Sequence, residues 1–160
     1  MSAMKRFLFM MAASIALLSG CGTSSTVSYY DYKAQVIHAE LAGSYVIRAC
    51  GKGRNAAQAM AQAQKAAVYE VVFNGVSASS PAAPHLKPLL LEVNAREKYQ
   101  DYFNDFFADG GAYTEFYTIQ SKRLASSNFK RNRQMVQCLT NVNVNVPALK
   151  KRLKEDNIIK

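Results

Sequence analysis

Gln134-Met135-Val136-Gln137-Cys138-Leu139-Thr140-Asn141-Val142-Asn143-Val144-Asn145-Val146 is the stretch whose reading decides the fold. Val136, Cys138, Thr140, Val142, Val144 and Val146 alternate with Gln137, Leu139, Asn141, Asn143 and Asn145. A period of two sends these sets to opposite faces of a strand. One face is buried and the other wet, as in a sheet covered on one side only. Pro147 ends the strand, and a short basic helix from Ala148 to about Glu155 follows, leading to Ile158-Ile159.

Working outward, Tyr113 to Leu124 reads as the hairpin partner of this strand, joined to it by a basic loop, Ser126 to Arg133. Tyr45, Val46 and Ile47 mark an earlier strand from Ser44 to Cys50, and Tyr32 to Glu40 reads as a strand or a short helix. Gly51 to Asn55 is a loop whose Asn55 caps a helix. Ala56, Met60, Ala63, Ala67 and Val71 recur at helical spacing, which predicts a helix from Ala56 to about Phe73, stopped by Asn74-Gly75. Three prolines (Pro81, Pro84, Pro88) make Ser77 to Pro88 a surface loop. A second helix is expected from Glu92 to Ala108, with Tyr99, Tyr102, Phe103, Phe106 and Phe107 on one core-facing stripe, ended by Gly110-Gly111. The predicted order is β-α-α-β-β-α, an α+β fold in which helices pack on one face of a small antiparallel sheet. At 160 residues, 49% hydrophobic and 19% charged, the chain has a core's worth of apolar side chains and no room for a two-domain enzyme. No internal repeat or linker divides it, so residues 29–160 form a single domain.

The front of the chain carries an address. Lys5 and Arg6 precede an apolar run from Phe7 to Leu18, broken only by Ser14; at about a dozen residues it is short of the ~20 that cross a bilayer. Residues 1–20 thus have the layout of a signal peptide. Leu18-Ser19-Gly20-Cys21 resembles the lipobox of bacterial lipoproteins. That resemblance implies cleavage before Cys21, diacylation of its thiol, acylation of the new amino terminus, and a lipidated tether over residues 21–28. Gly22 stands where many inner-membrane lipoproteins resemble one another in having aspartate, so the outer membrane is expected, on its periplasmic face.

In the body, Gly51-x-Gly53, an Ala59-x-x-x-Ala63-x-x-x-Ala67 helix closed by Asn74-Gly75, and the later Val/Asn strand resemble the small α/β domain of LPP-type outer-membrane lipoproteins and the amino-terminal domain of flagellar assembly protein T. The likeness covers mainly Tyr45 to Val76. Asn94-Ala95-Arg96-Glu97-Lys98-Tyr99 and Phe106-Phe107-Ala108-Asp109-Gly110-Gly111 are similar to uncharacterised lipoproteins of Bacteroidetes-type bacteria. These families imply an envelope location and a noncatalytic interaction or assembly role, with no catalytic motif to carry over.

Candidate chemistry is sparse. Gly51-x-Gly53-x-x-Ala56 satisfies a dinucleotide-binding spacing, but the acidic residue about twenty positions on, Glu70, lies within the helix and no second βαβ unit follows. No cofactor is expected, and a tight strand-to-helix turn accounts for the glycines. His38 and His85 have no partners at metal or triad spacing, so no metal site and no catalytic residue is assigned. A periplasmic enzyme assembled from distant residues stays open as an alternative.

Charge says more. Without Lys5 and Arg6 the chain keeps 18 basic against 11 acidic residues. Ten of the basic residues fall within residues 120–160, facing only Glu155 and Asp156. Lys122, Arg123, Lys130, Arg131, Arg133, Lys150, Lys151 and Arg152 are the candidates for binding an anionic surface: lipid headgroups, lipopolysaccharide phosphates, peptidoglycan carboxylates or an acidic protein. Such charge also suits a merely solvated face. No nucleic-acid partner is expected at this location. Finally, alternation puts Cys138 in the core with Val136 and Val142, and Cys50 on the opposite face with Arg48, so the two are expected to remain separate thiols.

Overall fold

The computed structural model describes residues 33–119, 129–132 and 135–159, with backbone only for residues 129–132. Six strands form one sheet: β1 (Gln35–Ala39), β2 (Ser44–Gly53), β3 (Ser77–Ala78), β4 (Tyr117–Ile119), β5 (Phe129–Asn132) and β6 (Met135–Asn145). The helices among the described residues are α1 (Ala56–Phe73), α2 (Ala95–Lys98), α3 (Gln100–Phe106) and α4 (Val146–Glu155), with a 3-10 turn at Ala112–Phe116. The class is α+β. In space the strands run β3-β1-β2-β6-β4, with β5 also pairing β6.

The alternation in β6 holds residue by residue, with Val136, Cys138, Thr140, Val142 and Val144 all buried. Its partner β2 sets Tyr45, Ile47, Ala49, Gly51 and Gly53 opposite Val144, Val142, Thr140, Cys138 and Val136. These ten positions make the helix-facing side of the sheet. Ile47, Ala49, Val142 and Val144 share one core with Val68, Val71 and Val72 of α1, Phe103 and Phe106 of α3, Phe116, and Leu149 and Leu153 of α4. Each such fully buried aliphatic side chain contributes about 1.5–3 kcal/mol. All the helices therefore lie on one face, as the alternation requires.

Helix α1 keeps its expected bounds because both ends are specified locally. Asn55 Oδ1 accepts the Gln58 amide at 2.9 Å, and Gln58 Oε1 accepts the Arg54 amide at 3.0 Å, a reciprocal cap. At the other end Gly75, at φ +74°, turns the chain out of the helix. The last carbonyls of α1 are then satisfied from further along: the Leu89 amide donates to Val71 at 3.1 Å and the Leu90 amide to Val72 at 2.9 Å.

Several expectations need correction. Strand β2 runs on through Gly53, and the glycines lie inside it instead of forming a turn. A Cβ on Gly51 would meet the carbonyl oxygen of Ala59 and the amide nitrogen of Ala63, and one on Gly53 would lie 2.6 Å from the Ala59 amide nitrogen. The glycines are there to let α1 rest directly on the strand. Within the expected Tyr32–Glu40 element, Gln35–Ala39 is strand β1 while Tyr32 lies outside the described residues, and the sheet is mixed, because β3 pairs with β1 in parallel at Gln35–Ser77 and Val36–Ala78. The expected second helix is broken at Tyr99 (φ −111°, ψ 34°) into α2 and α3. Its aromatic stripe is core as expected, with Phe103 and Phe106 buried and Tyr99, Tyr102 and Phe107 packed against them.

Around β6 the expected simple hairpin is two separate pairings on one edge. Tyr117–Ile119 pairs with Val142–Val144, while Phe129–Asn132 pairs with Met135–Cys138. The strand expected from Tyr113 is a 3-10 turn up to Phe116. Part of the expected basic loop, Phe129 to Asn132, is strand β5; residues 120–128 and 133–134 lie outside the described residues. Helix α4 follows β6 with no loop: Asn145 Oδ1 accepts the Ala148 amide at 3.0 Å, and Pro147 sits in the first turn.

Candidate functional site

On the sheet face away from the helices, β2 places Val46, Arg48, Cys50 and Lys52 opposite Asn143, Asn141, Leu139 and Gln137 of β6. No described helix packs here; Val46 is fully buried at one end of the face, and the rest of it, from Arg48 to Lys52, is mostly polar and carries two cations. Arg48 is exposed, and Cys50, Lys52, Gln137, Leu139 and Asn141 are half-buried. Lys130 of β5 holds the register position opposite Gln137, so Lys52, Gln137 and Lys130 form one row across three strands. Arg48 and Asn141 form a second row, about 13 Å along the strand from the first. Gln137 Nε2 donates to Cys50 Sγ at 3.0 Å, between the rows. At the far end of the face, Asn143 Nδ2 donates to Glu40 Oε2 at 2.8 Å.

This arrangement presents separated cations among neutral amides on a rigid support. It suits an extended anionic ligand that touches several points, with amides to hydrogen-bond its oxygens. Among the described residues it supplies no paired acid and base. His38 stands opposite Val46 and is exposed. Among the described residues no cluster of three or more His, Cys, Asp or Glu side chains is placed to hold a metal ion.

Among the described residues, the sequence-derived basic set falls into two groups. Cys21, Lys122, Arg123 and Arg133 lie outside the described residues. Lys130 and Arg131 belong to β5, beside the Met135–Cys138 end of β6, whereas Lys150, Lys151 and Arg152 belong to α4, which leaves the other end of β6 at Asn145. Gln137 and Asn145 are eight residues apart on one strand, about 27 Å. With a Debye length of about 8 Å at physiological salt, the two groups do not act as one field. Arg152 is also engaged within the fold: its Nε donates to Asp156 Oδ2 at 2.7 Å, and Tyr102 Oη donates to the same oxygen at 2.6 Å. Those two bonds, Tyr102's first, hold the Asp156 carboxyl below the usual carboxylate range. Lys151 lies 3.7 Å from Glu155, leaving Lys150 as the exposed α4 candidate with no such pairing.

The residues that the carboxyl-terminal charge count missed are Arg48 and Lys52. Their signal lay in β2 itself, where they alternate with Ile47, Ala49 and Gly51. The glycine spacing, by contrast, offers no phosphate cradle. Gly51, Lys52 and Gly53 pair along β6, and the Ala59–Ala63 turn of α1 covers the two glycines. Cys50 and Cys138 are free thiols on opposite faces of the sheet, Cys138 opposite Gly51 and Cys50 opposite Leu139. Burial pushes the Cys138 thiol up. No family model matches this chain, and no curated protein or solved structure matches it either.

Proposed function

We propose that this chain is a lipid-anchored lipoprotein of the cell envelope. Cys21 holds it at the outer membrane, on the periplasmic face, and the domain is a noncatalytic interaction module. Its working surface in this reading is the face of the sheet on which no described helix packs, around Arg48 and Lys52. The partner is an anionic envelope component, either a carboxylate-bearing cell-wall polymer or an acidic protein. The observation that supports the binding role is the pair of cationic rows, Arg48–Asn141 and Lys52–Gln137–Lys130, on the rigid strands β2, β6 and β5. The support for the anchor is the Leu18-Ser19-Gly20-Cys21 box behind its basic and apolar leader.

Two experiments separate the two parts of the proposal. Cys21→Ala is expected to release the chain from the membrane fraction, since the thiol is the acyl acceptor; retention after a high-salt wash refutes the anchor. Arg48→Gln with Lys52→Gln is expected to weaken binding to peptidoglycan fragments roughly tenfold at low salt and to flatten its salt dependence. Equal binding by the double variant at every salt concentration refutes the sheet face as the site. Lys150→Gln, on α4, is the control and is expected to leave binding unchanged.

A further inference from the structure

The first described residues lie at the C-terminal end of α1. Lys33 acts electrostatically on Glu70 of α1, and Ala34 is buried in the core that holds Val72, Val76, Leu86 and Leu90. The segment from Leu86 to Val93 crosses this same end of the helix. Leu86 bridges to Val76, and the Leu89 and Leu90 amides are bonded to the last-turn carbonyls of α1. With the backbone so fixed, Leu90 points into the core, Leu89 packs against that core, and Leu91 beyond them points out. Leu91 is 79% exposed and Val93 is 84% exposed. Two large aliphatic side chains are thus held in water just past the bonded Leu90 amide, on either side of Glu92, whose carbonyl accepts the Ala95 amide at 3.3 Å. Exposed Lys87 stands just before them, while Glu92 between them is paired with Lys98 at 2.6 Å.

We infer that Leu91 and Val93 are the point at which the domain rests on the lipid bilayer. This rests on the lipid-anchor reading above. From Cys21 to Lys33 there are twelve residues, so a tether of that length reaches at most about 40 Å. The part of the domain nearest the anchor is therefore the C-terminal end of α1. The exposed aliphatic pair sits at that end, where burial in the acyl-headgroup boundary removes it from water. Leu41 is fully exposed too, but it stands at the β1–β2 turn, beyond the opposite end of β1 and about 25 Å along the chain from Lys33. It is the internal control.

The chain has no tryptophan, so single reporters are simple to place. The full lipidated chain carrying Leu91→Trp, Val93→Trp or Leu41→Trp is reconstituted on vesicles of phosphatidylethanolamine and phosphatidylglycerol with brominated acyl chains. The expected result is that emission from positions 91 and 93 is blue-shifted and quenched by the bromolipid, while position 41 is not. If the chain floats with the vesicles and all three positions behave alike, the bilayer contact is wrong and the anchor stands. If position 91 is shielded from aqueous quencher without bromolipid quenching, a protein surface covers it and the inference is overturned. If the chain does not float with the vesicles at all, the anchor reading fails and this inference fails with it.

Discussion

Gly51→Ala tests how closely α1 lies on the sheet. Gly51 is in extended backbone within β2, so its conformation suits alanine, and the substitution alone would stabilise by about 0.5–1 kcal/mol. Packing reverses the sign. The added Cβ would fall on the Ala59 carbonyl oxygen and the Ala63 amide nitrogen and 2.9 Å from the Ala63 Cα, all of them backbone atoms that no rotamer change can move. Restoring van der Waals contact lifts the Ala59–Ala63 turn by more than about 1 Å, and a gap of that size forfeits a quarter to a half of the dispersion energy along the contact. Overpacking of this kind costs about 3 kcal/mol at the upper end of its range, which leaves a net loss of about 2 kcal/mol. For a domain of this size the melting temperature falls by roughly 8 °C. Urea unfolding followed by far-ultraviolet circular dichroism measures it directly. Adding Ala63→Gly is expected to bring a further loss of about 1 kcal/mol and no rescue, because the clash is with backbone and a helical glycine is itself unfavourable. A loss of less than about 0.5 kcal/mol, or rescue by Ala63→Gly, refutes the argument.

Tyr102→Phe removes the hydrogen bond to Asp156 and is expected to cost about 1 kcal/mol at pH 7, since both partners are partly exposed. Because the folded Asp156 carboxyl titrates below its ordinary 3.8, the bond contributes above about pH 4 and is lost as pH falls through the folded value, so wild type and variant draw together in urea titrations as the pH is lowered past it. Glu70 is shifted the other way: burial raises it above 4.5, against the Asn74 hydrogen bond and Lys33. Its penalty is absent below the unfolded value, grows as pH rises from there to the folded one, and is constant above it. Glu70→Gln is therefore expected to stabilise by less than about 1 kcal/mol at pH 7 and to be neutral at pH 4, and a destabilised variant at pH 7 shows that the charge is favourable where it is. Thr140 is 3% exposed and its hydroxyl has no partner among the described residues, so Thr140→Val is expected to gain about 1 kcal/mol in thermal unfolding; a loss reveals a bond to that hydroxyl.

What could be read from sequence was whatever local chemistry determines. The bounds of α1 are set by Asn55 and Gly75, and the facing of β6 by strict alternation, so both were legible residue by residue. The facing of Cys50 and Cys138 followed from the same alternation. The two-residue β3 has no pattern to read and exists only because the turn after α1 brings Ser77 beside Gln35. Strand β5 reads as a charged loop because Lys130, Arg131 and Asn132 have low strand preference; pairing with β6 overrides it. The candidate site was half legible. Counting charge along the chain groups Lys130 with Lys150, yet an 11-residue strand separates them in space. Arg48 and Lys52, distant in sequence from that cluster, join Lys130 only through the register of β2 on β6.

The central pairing of the sheet joins Ser44 to Asn145 and Gly53 to Val136, positions some eighty to a hundred residues apart. Closing a loop of that length comes before any reward from the contacts it makes, so folding is expected to be slow for a domain this small. It also has an order. While the chain emerges, α1 and β2 are complete long before β6, and Ile47 and Ala49 have no strand on that side to shield them. A nascent chain of this design spends its synthesis with a half-built sheet whose unpaired β2 edge is open to wrong pairings until the last strand arrives.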